Sequence, residues 1–361
     1  MNILSIETSC DETAIAIVKS ENNKTEILAN IVSSQIELHA KWGGVVPNLA
    51  AREHTKNILP VLKEALEKAE MIKDGIDLIS VTQGPGLIPA LLVGVTTAKS
   101  LAHAWQKPLL GIHHIEGHIY ANWTENTEIK FPALALVVSG GHTQLVLMKD
   151  HLQYKIVGET QDDAVGEAYD KVARMLGLGY PGGPIIDKKA EKFENEKNSE
   201  FDDIKLPRPM LNSQDYNFSF SGLKTASLYA VKMFREKNNL SEKDALPKNF
   251  INKIAHEFQS AATEVLIKKT VKAAQEFSVK SVILAGGVSA NKKLRSDLKK
   301  AINEELFGID FTVPPLTYCL DNATMIALAT THRWKKMSKI EKEKSLENYK
   351  TLQADSGLQL K

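Results

Sequence analysis

Hydrophobic and polar positions fall along the chain in runs that separate short strands from longer helices. Residues 2–18 read as a strand (NILSI), a polar turn (ETSCDET) and a second strand (AIAIV), and residues 133–148 repeat that layout as ALALVV, SGGHT and QLVLM. Either segment alone is an ordinary hairpin. Recurrence of one layout in both halves predicts a duplicated, two-lobed architecture. VILAGGVSANKKLR (282–295) reads as a buried strand that ends in Gly286-Gly287 and feeds a helix capped by Ser289 or Asn291. GPGL (84–87) lies between DLISVT and ALLVGVTTAKSLA, which predicts a tight strand-to-helix turn.

Helical periodicity runs over 51–70, 164–177 and 250–275. The stretches 188–206 and 233–248 are charged and turn-rich, as expected of solvated loops or exposed helices. From Arg333 onward a mixed-charge helix is expected, then a polar end, ADSGLQLK, that should fray.

Length and composition narrow the class. At 361 residues the chain exceeds the roughly 250–300 at which one core stops growing, so two domains are expected. With 43% hydrophobic and 25% charged residues it reads as an ordinary globular α/β or α+β protein. Lys plus Arg (45) balance Asp plus Glu (44), so any polyanion must be met by a local patch. Two cysteines, Cys10 and Cys319, build no disulfide framework in a chain this long, and a reducing cytoplasm fits. The N-terminal stretch turns polar at Glu7, too early for a signal peptide, and the longest apolar run, Leu87 to Val95, is broken by Pro89 and Gly94. A cytoplasmic location without membrane association is the expectation.

The strongest candidate chemistry is HHIEGH (113–118). His114 and His118 are four apart, so on a helix both imidazoles leave one face and can hold one metal ion. Asp321, in YCLDNATMIA, is the candidate third ligand; its alternative is a helix N-cap, and the two roles are compatible. Two histidines and a carboxylate with open positions suit Fe2+ and Zn2+ equally. In SGGHT the paired glycines let the backbone approach an anion, while Ser139 and Thr143 can donate hydrogen bonds. Asp170 in EAYDK and Asp187 after YPGGP are acceptors suited to ribose hydroxyls or to amine donors, though each alone reads as a surface carboxylate.

In order along the chain, IETSCDET, GPGL, HHIEGH, LVVSGGHT, EAYDKVARMLGLGYPGGP, FSFSGLKTA, AGGVSANKKLR and CLDNATMIA resemble the family of tRNA adenosine threonylcarbamoyltransferases over about residues 1–334. The wording is nearer its bacterial and organellar branch. The resemblance implies the actin-like/Hsp70-like ATPase fold, a duplicated ribonuclease H-like α/β architecture with an active-site cleft between the lobes. The N-terminal lobe would span 1–130, rejoined by a helix over about 321–336; the C-terminal lobe would span 131–320, with a charged tail over 337–361.

It also implies the reaction: transfer of threonylcarbamoyl from threonylcarbamoyl-adenylate to N6 of the adenosine 3′ of the anticodon, in tRNAs reading codons that begin with A, with release of AMP. Carried over residue by residue, His114, His118 and Asp321 match the metal ligands. Val137, Val138, Ser139, Gly140 and Gly141 match the substrate loop; Asp170, Gly183, Asp187 and Asn291 match the remaining adenylate contacts. The metal would be Fe2+ first, with Zn2+ as the alternative, and the partners tRNA, a TsaB-like paralogue, a TsaE-like ATPase and, upstream, a TsaC-type synthase.

Asp11 and Glu12, in the first hairpin turn, fit a catalytic role as general base or in orienting the amine; binding of the adenylate or of water and a purely structural turn stay open. Asn48, Pro89 and Ala323 depart from the family's usual Glu, Gly and Gly, and the Lys-rich tail beyond Trp334 is additional. Two rivals remain at this level. A metalloprotease would need Glu directly after the first histidine, and Glu116 comes one position too late. An ATP-dependent scaffold would have no use for the histidine pair.

Overall fold

The computed structural model describes residues 1–22, 24–196, 201 and 203–360. The chain divides into two compact units, the first made of Met1–Ile129, Asp150–Tyr154 and Pro314–Lys361, the second of Lys130–Lys149 and Lys155–Val313.

In chain order the first unit holds β1 (Asn2–Glu7), β2 (Glu12–Glu21), β3 (Lys24–Ser34), α1 (Ile36–Ala40), α2 (Pro47–Lys68), β4 (Leu78–Gly84), α3 (Ile88–Trp105), β5 (Leu109–His113) and α4 (His114–Tyr120). Its sheet has the order β3-β2-β1-β4-β5. Strand β1 pairs antiparallel with β2 and parallel with β4, and β4 pairs parallel with β5. Every residue of β1 after Asn2 is buried, which is why this strand shows no alternation: helices cover both of its faces. Leu4, Ile6, Ile15 and Val81 share a core with Ile58 and Leu62 of α2 and with Val95 and Ala98 of α3.

The second unit contains β6 (Ala133–Val138), β7 (Thr143–Asp150), β8 (Gln153–Glu159), α5 (Val165–Met175), α6 (Gly182–Glu196), α7 (Ser221–Lys237), α8 (Lys248–Glu276), β9 (Ser281–Ala285), α9 (Lys292–Glu305) and β10 (Asp310–Thr312). The sheet order is β10-β9-β6-β7-β8, with β6 antiparallel to β7 and parallel to β9. Written from the first strand of each unit outward, the two sheets have the same order. The expected duplication is therefore real, and the fold is the two-sheet actin-type α/β class. Leu134, Leu136 and Leu284 of this sheet pack with Phe258 and Ala262 of α8 and with Leu298 of α9.

The chain then supplies α10 (Ala323–Lys336), α11 (Lys339–Ser345) and α12 (Asn348–Thr351) to the first unit. Ala323 packs on Ala14 and Ala16 of β2, small residues that let the helix lie close to the sheet.

Several local expectations change. The periodic segment 51–70 belongs to a helix that starts earlier, at Pro47, where proline's missing N–H costs nothing. The charged stretch 188–206 includes the second half of α6, while 197–200 and 202 lie outside the described residues. The polar end expected to fray is held down instead: the Asp355 N–H donates to the Gln83 carbonyl (2.9 Å), and the Leu358 carbonyl lies 3.0 Å from His113 Nε2.

Candidate active site

Parallel strands end together, so loops that follow them gather at one edge of a sheet. In the first unit β1 is followed by the turn Thr8–Asp11, β4 by Pro85-Gly86 and β5 directly by the histidine helix α4. His113 caps that helix, its Nδ1 accepting from the Ile115 N–H at 3.1 Å. All seven residues of α4 are buried. Gly117 faces α10 so closely that a Cβ there would stand 2.7 Å from Ile326 Cδ1, and this contact brings Asp321, just before α10, to the histidines.

Asp321 Oδ1 lies 3.2 Å from His118 Nε2 and 3.6 Å from His114 Nε2. One ligand atom from each of the three residues falls within 4.8 Å of the others. His118 is 1% exposed, and neither ring nitrogen has a hydrogen bond of good geometry, so the ring is buried at a cost that a bound cation would offset. The helix cap falls not to Asp321 but to its neighbour: Asn322 Oδ1 accepts from the Met325 N–H at 3.0 Å, which leaves the Asp321 carboxylate for the histidines.

Glu7, at the end of β1, completes this centre and was not singled out in the sequence. It is fully buried, and its Oε2 lies 3.1 Å from His114 Nδ1 while accepting from Thr82 Oγ1 at 2.5 Å. A carboxylate behind Nδ1 fixes the tautomer and turns Nε2 toward Asp321, the carboxylate–histidine arrangement of metal sites. Burial opposes a charged imidazole, but the Asp321 and Glu7 carboxylates outweigh it and raise His114 to about 9.

Glu116 is also fully buried, and Arg333 grips it through two hydrogen bonds of 2.6 Å. It is an anchor between α4 and α10, unavailable as a protease base. Asp11 and Glu12 are 7% and 8% exposed. Burial first, then the Asp11 and Asp321 carboxylates, pushes Glu12 well above the usual carboxylate range. Cys10, between them and Ser9, is raised in the same way and stays a thiol.

In the second unit Val137 and Val138 end β6 fully buried, and the chain turns through Ser139, Gly140 and Gly141. The turn is closed by the Ser139 N–H donating to the His142 carbonyl (2.8 Å) and the His142 N–H donating to Ser139 Oγ (3.1 Å). The first turn of α5 rests against it: the Gly166 N–H donates to the Ser139 carbonyl, and a Cβ on Gly166 would strike that oxygen at 2.6 Å. Nothing lies within 4 Å of where a Cβ on Gly140, Gly141 or Gly183 would point, so these backbone faces are open. Asp170 Oδ1 accepts from the Gly182 N–H at 2.7 Å and so fixes the start of α6 beside Gly183.

Asp187 and Asn291 meet through Gln259 of α8, which donates to Asp187 Oδ1 (3.0 Å) and accepts from Asn291 Nδ2 (2.8 Å). Asn291, rather than Ser289, caps α9 by accepting from the Leu294 N–H at 2.8 Å. Gln259 sits mid-helix in FQSAA without any motif, so nothing in the sequence marked it.

The fold is of the actin type; a cluster of two histidines and one carboxylate that could hold a metal ion lies in the first unit, and open glycine turns lie in the second. The family model described as TsaD: tRNA N6-adenosine threonylcarbamoyltransferase matches residues 26–328. Proteins of that name from Bacillus subtilis (strain 168) and Persephonella marina are 52% and 50% identical over 338 residues, 93% of this chain and 91% of each of theirs. A third, from Thermosipho africanus, is 49% identical over 93% of this chain and 95% of its own. Full-length HypF, 11% identical with a TM-score of 0.54 over 93% of this chain and 56% of that one, shares the fold. The chain belongs to the tRNA N6-adenosine threonylcarbamoyltransferase family and is an acyltransferase that modifies tRNA. Among the described residues no helix is long and apolar enough to cross a membrane.

Proposed function

We propose that the donor is threonylcarbamoyl-adenylate and the acceptor N6 of the adenosine 3′ of the anticodon in tRNAs reading codons that begin with A. The observation that carries this reading is the triad of buried His114 and His118 with half-buried Asp321, backed by Glu7. His114, His118 and Asp321 would hold one divalent metal, Fe2+ or Zn2+, supplying Lewis acid stabilisation of charge on the donor's oxygens.

Val137 to Gly141 and Gly183 offer backbone to the adenylate, while Asp170, Asp187 and Asn291 offer polar side chains; Gln259 holds the last two in register. The amine nitrogen attacks the carbamoyl carbon, the bond from that carbon to the phosphate oxygen breaks, and AMP departs. An aromatic exocyclic amine is a poor nucleophile, so the mixed anhydride supplies the activation. Asp11 and Glu12 would receive the proton the amine loses. A TsaC-type synthase would supply the adenylate, and a TsaB-like paralogue and a TsaE-like ATPase would assist. Cys10 and Cys319, not joined in a disulfide, suit a cytoplasmic location.

The test is reconstitution with those partners, threonylcarbamoyl-adenylate and tRNA, followed by nucleoside mass spectrometry. Wild type should form threonylcarbamoyladenosine and His114→Ala should form none while keeping its fold. Metal-loaded wild type without product would sink the proposal.

A further inference from the structure

Helices α1 and α2 carry two fully buried histidines, His39 and His54, that no part of the chemistry above uses. Their hydrogen bonds can be oriented one by one. His54 Nε2 lies 3.0 Å from the Cys10 carbonyl, which only accepts, so Nε2 carries the hydrogen. His54 Nδ1 is then an acceptor, 2.8 Å from Thr13 Oγ1 and 3.4 Å from Gln35 Nε2. The Val46 N–H donates to His39 Nδ1 at 3.3 Å, so the hydrogen of His39 lies on Nε2, which donates to Gln35 Oε1 at 3.1 Å. Gln35 Nε2 also reaches the Ala50 carbonyl at 3.3 Å. The single lone pair of His54 Nδ1 takes the closer donor, Thr13 Oγ1, and Gln35 Nε2 is shared between that nitrogen and the Ala50 carbonyl.

The network ends on the turn that carries Asp11 and Glu12. His54 holds the Cys10 carbonyl, the Gln35 N–H donates to the Asp11 carbonyl at 3.0 Å, and Ser34 Oγ donates to Glu12 Oε1 at 2.9 Å. Two consecutive peptide carbonyls and one carboxylate of the turn are thereby fixed from a single side. We infer that His54, through Thr13 and Gln35, is a positioning residue for the transfer reaction: it sets the peptide orientation that aims the Asp11–Glu12 pair. This rests on the role proposed above for that pair.

The discriminating variants are His54→Gln and His54→Asn. A glutamine amide nitrogen reaches the place of Nε2 and keeps the donor to Cys10; asparagine stops at the place of Nδ1 and loses it. In the reconstituted transferase, His54→Asn lowers kcat about tenfold or more, as a misaimed reacting group does. KM for adenylate and tRNA stays within about twofold, and His54→Gln recovers kcat to within about threefold of wild type. Thr13→Val, nearly isosteric, lowers kcat in the same direction and serves if His54→Asn folds poorly.

Hydrogen exchange at the Gln35 amide gives a readout that needs no turnover: it accelerates in His54→Asn and not in His54→Gln, so it separates failure of this inference from failure of the functional reading. Equal kcat in wild type, His54→Asn and Thr13→Val overturns the inference. So does equal loss in the Asn and Gln variants, unchanged exchange at Gln35, or a kcat loss in His54→Asn that Asp11→Asn and Glu12→Gln do not share.

Discussion

His332 stacks on His151 with ring centroids 4.2 Å apart and on Tyr120 at 4.7 Å, inside the first unit. Burial, then His151, Lys335 and Lys336, lowers its pKa to about 3. The folded value is below the unfolded one of about 6.5, so the unfolded chain takes up the proton first, and stability falls as pH drops below about 6.5. Between pH 7.5 and pH 5 the unfolded His332 gains about 1.5 pH units of protonation that the folded one does not. At about 1.4 kcal/mol per unit this is a loss of about 2 kcal/mol.

Substituting His332→Phe keeps a ring in the stack and removes the titration. Trp42, Trp105, Trp123 and Trp334 all lie in the first unit, so tryptophan fluorescence during urea unfolding reports on that unit alone. Wild type should lose about 2 kcal/mol more than His332→Phe between the two pH values, whatever their difference at pH 7.5. Parallel losses in the two proteins would refute the reasoning, because other groups titrate in both.

Two further expectations concern the proposed metal site and the helix pair beside it. Glu7→Gln, which keeps the shape but loses the charge behind His114, should weaken metal affinity about 10–100-fold in a competition titration with a chelator; unchanged affinity would deny Glu7 its role. Arg333→Met leaves the buried Glu116 carboxylate without its partner and should cost about 3 kcal/mol in urea unfolding, with Glu116→Gln added to it restoring part of the loss. If the double variant is no more stable than the single, the pair does not act as described.

The elements most legible in the sequence are those whose burial follows a simple period. The helices around 51–70 and 164–177 can be read because one face of each meets one core, whereas the hairpins show as apolar runs broken by polar turns and His114 and His118 show by their spacing alone. Asp321 was legible as a candidate through the junction it occupies, although the cap proved to be Asn322. Glu7 was hidden by its setting: a charged residue after NILSI reads as the polar start of a turn, and only the pairing of β1 with β4 brings Thr82 and His114 around it. Gln259 was hidden for a similar reason, since one buried amide in a long helix has no pattern of its own. Glu116 was legible by exclusion as no protease base, but its partner Arg333 is 217 positions away. The tail's composition pointed to solvent, and single bonds to backbone carbonyls, which no periodic pattern reports, hold it in place.

That tail has a consequence for handling the protein. Strand β5 is the outermost of its sheet on that side, and an uncovered margin there would be a template for pairing with another molecule. Asn348 donates to the Leu109 carbonyl at 2.7 Å, Lys99 holds the Leu352 carbonyl at 3.0 Å, and Asp355 takes the backbone of Gln83. Residues 348–358 thus act as a gasket along that margin. An affinity tag fused close behind them would tug on the seal, and aggregation on storage, rather than lost turnover, would be its first symptom.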